Sequence, residues 1–429
     1  MFRLFFFGGF IMSENNILEP VINAFWDVGV LLWRCIFGES KEFDFDKFFK
    51  DTEFKNKKEI YPSVYKKYKT DVGTMYLITI PVGMELEDFQ KLQAPMEQQA
   101  KKKMDIKYKN GFIEIEVIEK ELEKNYNYVL PTRTKDYIEI PIGESLRGTE
   151  CINLKKIPNV LITGTTGSGK SICSKGILTS LVNMYNPKEL ELYLIDFKQV
   201  ELGSFRALEH TKVFEREVEP AKEVISTLME ECNNRYSEFF KHGLTNIYDY
   251  NKKFPKKKMP FQVLFIEEFI MLQMDKSKIA MTLLKQFASL CRASGQYIFI
   301  TCQRADNTVI DGVLKSNVGN RIVFRMEDSK NSIIALDSEG AEDLRGNGHG
   351  ILKIGATKTE FQGYYITDRQ VNEYTKKWIK KPSKELEGYD KYKLLDNNKK
   401  AVTTEFKNES SEYKKNTDKI TDLSFLDKL

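Results

Sequence analysis

The stretch NVLITGTTGSGKSICSKGILTSL, residues 159–181, carries the clearest structural pattern in this chain. Its centre, residues 164–171, matches the phosphate-loop pattern G-x-x-x-x-G-K-[ST] at every fixed position. The apolar run 160–162 is typical of a buried strand, and the apolar residues after Ser171 are spaced as on one face of a helix. A glycine loop between a strand and a helix lets successive backbone N–H groups surround a phosphate. The pattern therefore predicts a nucleoside triphosphate site.

Each position of this loop has an expected role. Lys170 is expected to reach the β- and γ-phosphates, and the Ser171 hydroxyl is expected to bind Mg²⁺. The other positions would contact phosphate through the backbone, and they are Gly164, Thr165, Thr166, Gly167, Ser168 and Gly169. A glycine-rich turn that matches by chance is disfavoured, because strand, loop and helix follow in the required order. ATP and Mg²⁺ are the predicted cofactors.

Composition sets broad limits on the rest of the chain. Its 429 residues are enough for two or three domains, and 30% charged and 41% hydrophobic residues are ordinary for a globular protein. A net charge of +4 neither indicates nor excludes a nucleic-acid partner. The six cysteines form no C-x-x-C pair and no ligand-like spacing with the three histidines. We therefore expect no zinc site, no disulfide framework and a reducing environment.

Residues 1–58 are predicted to be an amphipathic, membrane-associated segment followed by a linker. The first eleven residues are apolar but too short to span a bilayer, and Met12 is an alternative start. Residues 21–37 are largely apolar, but three polar or charged residues fall on one helical face. This segment is interpreted either as a membrane anchor or as a docking helix for a soluble partner. The aromatic and charged stretch 41–59 has the composition expected of a linker.

Residues 59–148 are predicted to form a small α/β module. The runs 75–81 and 111–118 are rich in β-branched and aromatic residues and predict strands. Between them, residues 86–103 predict a helix with an interruption at Pro95. Because no residue pattern here points to catalysis, the expected role is scaffolding or oligomerisation.

The second strong motif is FQVLFIEEF, residues 261–269. An apolar run of this kind predicts a central strand, and Glu267 and Glu268 stand at its end. In an NTPase the first acid would hold the Mg²⁺ shell through water, and the second would orient and deprotonate the attacking water. About 100 residues after a phosphate loop, this is the predicted Walker B segment.

Two more predicted strands end in polar residues. Residues 190–196 are followed by a charged pair, Asp196 and Lys198, which is either a ligand-binding pair or a capped strand end. Residues 297–301 lead to Gln303, which would hydrogen-bond the γ-phosphate or its water; the alternative is a polar loop start. Four such strands alternating with helices predict an α/β fold with a mostly parallel sheet and helices on both faces.

In the order and spacing of these motifs the sequence resembles the FtsK/SpoIIIE (FtsK–HerA) family of ring-forming DNA translocases, over about residues 70–370. The resemblance implies a RecA-like P-loop NTPase motor over residues 149–380 and a small β domain over residues 59–148. It also implies a homo-hexameric ring. The segments that carry it are IPNVLITGTTGSGKS, LYLIDFKQVEL, FQVLFIEEF, CRASGQYIFITCQR, NVGNRIVFR and DSKNSIIALDSEGAEDLRGNGHGIL.

The resemblance also implies roles for single residues. Lys170 and Ser171 would be the Walker A pair, Glu268 the catalytic base and Gln303 the sensor glutamine. Arg292 falls on the position of an arginine finger that acts on the neighbouring subunit. Two further arginines match basic positions near the subunit boundary, and they are Arg321 and Arg325.

The sequence departs from the family pattern at several points. Glu267 stands where the family usually has Asp, and the TQRP motif is replaced by residues 301–305, TCQRA. Residues 381–429 are charged, poor in apolar residues and predicted to be a disordered tail, with no winged-helix domain. With a short N-terminal anchor and one motor, the chain resembles the TcpA-like coupling proteins of Gram-positive conjugative elements.

This resemblance implies an ATP-driven DNA translocase that feeds DNA to a conjugative type IV secretion channel at the cytoplasmic face of the membrane. The implied partners are DNA, further copies of the chain, and relaxase or channel proteins. Contacts with DNA would be mainly to phosphate and nearly independent of sequence. The basic candidates, which are otherwise a solvated loop, are Lys252, Lys253, Lys256, Lys257, Lys258 and Arg304.

Three other functions compete with this interpretation. One is a chromosome or plasmid segregation pump, which the missing sequence-reading domain disfavours. Another is a protein-secretion coupling ATPase of the same superfamily, although such proteins usually carry several ATPase domains. The last is a non-hydrolysing nucleotide-dependent adaptor, which the two acids and Gln303 disfavour.

Overall fold

The computed structural model describes residues 42–303 and 312–380, apart from the side chains of residues 313 and 314. The predicted N-terminal anchor, the tail and Arg304 lie outside these residues. Within the described part of the chain, no helix is both long enough and apolar enough to cross a membrane. The chain divides into two compact units, with the boundary between Glu123 and Lys124.

The smaller unit is an antiparallel sheet of four strands in the order β1-β2-β4-β3 with a core of aromatic and branched aliphatic side chains. Strands β2 and β4 correspond to the predicted strands at 75–81 and 111–118. Its elements are α1 (Phe45–Asp51), β1 (Val64–Lys69), β2 (Gly73–Ile78), α2 (Leu86–Lys91), α3 (Gln93–Ala100), β3 (Met104–Lys109) and β4 (Phe112–Ile118).

The prediction of a linker at 41–59 was wrong for its described residues. Helix α1 begins after Asp44, whose carboxylate accepts a hydrogen bond from the Lys47 N–H at 3.0 Å. Phe45, Phe48 and Phe49 are all buried in the core of the smaller unit. Their spacing of three and four residues is that of one helical face, and capping by Asp fixes where the helix starts. The aromatic residues of this stretch are therefore core residues.

The single helix predicted at 86–103 is two helices that meet at Leu92. The interruption does not fall at Pro95, which is the third residue of α3. Proline is tolerated in the first turn of a helix because the N–H groups there have no intrahelical acceptor. The chain bends instead at the residue that ends one helix and precedes the next.

The larger unit contains a sheet of 11 strands. Strands β10, β9, β11, β12, β8 and β13 are neighbours in that order and pair in parallel. The sheet continues through β14, β15, β6 and β7 with antiparallel pairing, and β5 pairs with β15. The predicted α/β class with a mostly parallel sheet is confirmed.

Its strands are β5 (Tyr126–Asn127), β6 (Glu139–Ser145), β7 (Gly148–Asn153), β8 (Asn159–Thr163), β9 (Leu190–Asp196), β10 (Thr211–Glu215), β11 (Phe261–Glu267), β12 (Gln296–Cys302), β13 (Asn320–Phe324), β14 (His349–Ile354) and β15 (Thr357–Tyr365). Its α-helices are α4 (Lys170–Met184), α5 (Val218–Lys241), α6 (Ile247–Lys253), α7 (Ile279–Ser294), α8 (Gly312–Asn317), α9 (Ser329–Leu336) and α10 (Asp368–Thr375). Short 3₁₀ turns span Gly203–Phe205, Phe269–Met274 and Lys376–Trp378.

Helices cover both faces of this sheet, as the alternation of buried residues along β8 shows. Val160 and Ile162 belong to one core, which includes the buried face of α4. Leu161 belongs to a second core, which includes the buried faces of α5 and α7. Successive side chains of a strand point to opposite faces, so β8 is buried on both sides.

The predicted domain boundary at 148–149 differs from this division. The hairpin of β6 and β7 belongs to the larger sheet, where β6 pairs with β15. A Cβ atom on Gly143 of β6 would lie 2.3 Å from the Gln362 carbonyl oxygen, so only glycine allows this close approach. The pairing joins residues more than two hundred positions apart, which local sequence patterns do not reveal.

Replacement of Phe49 by alanine is expected to lower the free energy of unfolding of the smaller unit by about 3–5 kcal/mol, because it leaves a cavity in the core. Hydrogen exchange of the β2 and β4 amides in the full chain measures this loss. Lys47→Ala, on the exposed side of the same helix, is the control and should change exchange little. Equal exchange in the two variants would contradict the assignment of α1 to the core.

Candidate functional site

The phosphate loop joins β8 to α4 through a backbone that requires glycine at two contact points. Gly164 and Gly169 have φ angles of +150° and +124°. A Cβ atom on Gly169 would lie 2.7 Å from the Cα of Gly348, and one on Gly164 would lie 2.8 Å from the Cβ of Phe324. These contacts are shorter than side chains tolerate, so the loop conformation depends on both glycines. The predicted strand, loop and helix are all present.

A second glycine loop, residues 345–350, holds the phosphate loop from the side of β13 and β14. The Gly348 N–H donates to the Ser168 carbonyl at 2.8 Å, and the Thr165 N–H donates to the Arg325 carbonyl at 2.8 Å. The Gly348 carbonyl in turn accepts from the Gly363 N–H of β15 at 2.8 Å. The antiparallel end of the sheet is thereby connected to the nucleotide site. Sequence reasoning assigned no role to this loop, and the only local signal was its spaced glycines.

His349 fixes the shape of the second glycine loop. Its Nδ1 accepts a hydrogen bond from the Arg345 N–H at 3.1 Å, so the proton of the neutral ring is on Nε2. The Nε2–H then donates to Glu360 Oε1 at 2.7 Å. The ring is buried, and both of its nitrogen atoms are used to hold the loop against β15.

Lys170, the predicted phosphate-binding lysine, is buried within the phosphate loop. Its Nζ donates to the carbonyl oxygens of Gly164 at 2.6 Å and Thr165 at 2.9 Å. Burial lowers the pKa of Lys170, and the positive charge of Lys198 lowers it further. The ammonium group is thus held inside the loop where a phosphate would supply a compensating negative charge.

Glu267 ends β11 beside Asp196, its register partner at the end of β9. Its side chain is buried, and Oε2 has no hydrogen-bond partner among the described residues. Burial raises the pKa of Glu267 to about 7, and the negative charges of Glu201 and Asp196 add to this rise, while the Thr301 hydroxyl opposes it. A buried carboxylate oxygen without a partner is unfavourable unless a cation or water binds it. Glu267 Oε2 is therefore available to a cation or a water molecule in the site.

Glu268 is held at the junction of three strand ends. Its backbone is in the left-handed region, with φ +58°, and its N–H donates to Thr301 Oγ1 at 2.9 Å. Its Oε1 accepts from the Gln303 N–H at 3.3 Å, and its Oε2 lies 2.7 Å from Lys198 Nζ. Residues other than glycine seldom have a left-handed backbone, and those that do are often found at functional sites. The structure thus brings together three predicted segments: the phosphate loop, the two acids and the strand end at Gln303.

The charged pair after β9 separates into two roles. The Asp196 carboxylate is fully buried and accepts hydrogen bonds from the N–H groups of Gln199 at 3.0 Å and Leu202 at 2.9 Å. This side chain therefore caps the strand end, which was one of the two alternatives. Lys198, in contrast, points to Glu268 and belongs to the site.

Arg292 does not reach the phosphate loop of its own chain. It is exposed near the end of α7, before β12 begins, and its Nε donates to the Lys155 carbonyl at 3.2 Å, ahead of β8. The phosphate loop follows the carboxyl end of β8, at the opposite edge of the sheet. A strand of this length, seven residues in β12, spans about 20 Å.

The two other arginines matched to the family differ in their surroundings. Arg321 is buried, and its Nη1 donates to the Ala335 carbonyl at 3.1 Å and to Asp337 Oδ2 at 2.9 Å. It is therefore an internal residue of this chain and is not exposed for contact with a second copy. Arg325 is exposed, and its backbone carbonyl supports the phosphate loop.

The lysines proposed for DNA contact lie away from the site. Lys252 and Lys253 end α6, and residues 256–258 form the exposed segment that leads to β11. They precede the amino end of that strand, so they lie at the same edge as Arg292 and opposite the phosphate loop. This position fits the alternative of a solvated loop.

The site has a glycine loop with an inward lysine between a buried strand and a helix. Two acids follow β11, which lies two strands away from β8 in the sheet. Together these features define a P-loop NTPase site. The sequence profile of the FtsK/SpoIIIE family matches residues 131–354, which is more than half of the chain. The chain belongs to the FtsK/SpoIIIE family.

The relatives are similar to part of this chain. DNA translocase FtsK of Listeria monocytogenes serovar 1/2a is 32% identical over 249 residues, which cover 55% of this chain and 33% of the relative. The chain thus spans about a third of the length of the curated relatives it matches.

Two solved structures share the fold. The conjugation coupling protein TcpA of pCW3, in its monomer form with ATPγS, is 24% identical and has a TM-score of 0.56, over 76% of this chain and 96% of that one. The cytoplasmic domain of the type VII secretion ATPase EccC of Thermomonospora curvata is 21% identical and has a TM-score of 0.52, over 59% of this chain and 32% of that one. At these identities the likeness concerns the fold alone.

Replacement of Gly348 by alanine is expected to weaken binding of ATPγS by about tenfold, or about 1.4 kcal/mol. Gly348 has a φ of +88°, which is strained for any other residue, and an added Cβ would lie 2.9 Å from Gln362 Nε2, so either this side chain or the loop that holds Ser168 must shift. Titration calorimetry measures the affinity. Gly355→Ala is the matched control, because Gly355 also has positive φ but has open space around it. Equal affinities for the two variants would show that the second glycine loop does not support the site.

Proposed function

We propose that this protein is an ATPase that drives DNA translocation and acts as a coupling protein for a conjugative type IV secretion channel. The observation that carries the proposal is the convergence of Glu268, Gln303 and the phosphate loop at one edge of the sheet in a chain of the FtsK/SpoIIIE family. Family relatives are named as DNA translocases. A chromosome or plasmid segregation pump is the nearest competing function.

The site residues have distinct proposed roles in hydrolysis. The loop amides and Lys170 bind the phosphates, and Ser171 and Glu267 would hold Mg²⁺, which when bound would neutralise phosphate charge. Glu268 orients the attacking water and accepts its proton. The Gln303 side chain contacts the γ-phosphate or that water and responds to its loss. The hydrogen bond between the Gln303 N–H and Glu268 links the sensor segment to the base.

The position of Arg292 supports a ring in which neighbouring subunits complete each other's sites. The side chain is exposed at the edge opposite its own phosphate loop, so it is available to a second copy of the chain. In a homo-hexamer the Arg292 edge of one subunit faces the phosphate loop of the next. Charge that develops on the phosphates during hydrolysis is then stabilised across the interface.

DNA is the proposed substrate of the motor, and the central pore of the ring is its proposed path. Contacts through lysine and arginine to phosphate would be salt-sensitive and nearly independent of sequence. Relaxase or channel proteins, and association with the cytoplasmic face of the membrane, are the further proposed elements of a coupling role. A protein-secretion ATPase is a further candidate, because EccC shares the fold.

Replacement of Arg292 by alanine is expected to lower the ATPase rate by roughly 10³–10⁵-fold, as for arginine fingers, while leaving ATP affinity nearly unchanged. The single-chain site is intact in this variant, because Arg292 does not contact it. Steady-state hydrolysis and ATPγS titration measure the two quantities. Arg369→Ala, which removes an exposed arginine on α10, is the control.

Mixed rings test the action of Arg292 on its neighbour. Arg292→Ala and Lys170→Ala are each expected to be inactive, but a mixture contains interfaces in which an intact phosphate loop meets an intact arginine. Recovery of hydrolysis on mixing is the expected result. Normal hydrolysis by Arg292→Ala alone would exclude the role of Arg292.

The DNA and protein-secretion functions differ in what stimulates hydrolysis. The ATPase rate is measured without DNA, with single-stranded DNA and with double-stranded DNA. At least one of the two kinds of DNA is expected to raise the rate. The rise should fall steeply with salt, because phosphate contacts release counterions. Rates independent of both DNAs would contradict the DNA motor and favour the secretion function.

A further inference from the structure

The loop after β9, residues 197–202, places a second lysine in the nucleotide site. Its shape is set by Asp196, whose buried carboxylate accepts two backbone hydrogen bonds from the loop. This fixes the position from which Lys198 extends, and Lys198 Nζ lies 2.7 Å from Glu268 Oε2. The Lys198 side chain is 31% exposed, whereas that of Glu268 is 12% exposed. The lysine is therefore the more accessible member of the pair.

The pairing of strand ends places Lys198 at the phosphate-loop end of the sheet. Its partner Glu268 also accepts a hydrogen bond from the Gln303 N–H, directly after β12. Cys302, the last residue of β12, pairs with Thr163 of β8, and Thr163 directly precedes the phosphate loop. The ammonium group of Lys198 is therefore on the side of the sheet where the phosphates of a nucleotide would bind.

The pairing of Lys198 with Glu268 has a consequence for the base. While Glu268 Oε2 contacts the Lys198 ammonium group, that oxygen is occupied by a donor other than water. Glu268 must be free to contact the attacking water if it is to act as the base. A stronger anion near Lys198 would separate the pair, because the terminal phosphate of a nucleoside triphosphate carries more charge than one carboxylate.

We propose that Lys198 is a second phosphate-binding lysine, which pairs with Glu268 when the site lacks a triphosphate and moves to the γ-phosphate when ATP binds, so that Glu268 is released. This inference rests on the proposed ATPase function. It adds a means by which the site distinguishes ATP from ADP, since ADP has no γ-phosphate to attract Lys198. The base is then freed only when there is a phosphate to hydrolyse.

The test compares ATPγS and ADP binding, both with Mg²⁺, in the full chain carrying Lys198→Met. Loss of a charge-assisted contact to the γ-phosphate should weaken ATPγS binding on the order of tenfold to a hundredfold and leave ADP affinity within about twofold. Lys198→Arg retains the charge and should restore most of the preference for ATPγS. Lys135→Met is the matched control, because Lys135 Nζ also lies 2.7 Å from a carboxylate, that of Glu139, outside the site.

The outcomes separate this inference from the proposed function. Equal weakening of ATPγS and ADP by Lys198→Met would mean that Lys198 only supports the fold of the site, and unchanged binding of both would mean that it does not contact phosphate; either result overturns the inference. Lys198→Gln gives the same comparison if the methionine variant does not fold. ATP hydrolysis by the wild-type chain, with Glu268→Gln as the inactive reference, tests the proposed function independently of these affinities.

Discussion

The close approach of two glycine loops is the constraint on which the nucleotide site depends. The backbone of Gly169 lies against that of Gly348, with no room for a Cβ atom between them. The Gly348 N–H binds the phosphate loop, and its carbonyl binds β15. The antiparallel strands that extend the parallel sheet therefore support the phosphate loop from a second side. A loop of small residues needs such support in order to hold a single conformation.

The site contains more buried charge than its own side chains satisfy. Lys170 and Glu267 are both buried. Burial lowers the pKa of Lys170 and raises that of Glu267, so it favours the neutral form of each side chain. Glu267 Oε2 also has no hydrogen-bond partner among the described residues. Charges that are unfavourable in the protein alone become favourable when a ligand of opposite charge arrives, so the same burial that opposes folding favours nucleotide and metal binding. The contact between Lys198 and Glu268 is the exception, because there the protein supplies both charges.

The parallel sheet separates functional residues into two sets. Strand ends at the carboxyl edge carry the phosphate loop, the acids and Gln303, while the opposite edge carries Arg292 and the exposed lysines. The length of a strand keeps these two edges about 20 Å apart. Arg292 of one chain therefore does not reach the phosphate loop of the same chain. A ring, if it forms, would bring the two edges together without any change in the fold.

Local patterns of glycine spacing, apolar runs and polar strand ends were sufficient to predict the phosphate loop, the acids at the end of β11, the strand before Gln303 and the α/β class. Contacts between distant parts of the chain establish that the β6–β7 hairpin joins β15, that the aromatic residues of α1 are core, and that Asp196 caps a strand end while Lys198 meets Glu268. Such contacts also show that Gly348 supports the phosphate loop and that Arg321 is internal. These features depend on pairings between residues far apart in the chain, and no local pattern records which distant backbone or charge a residue will meet.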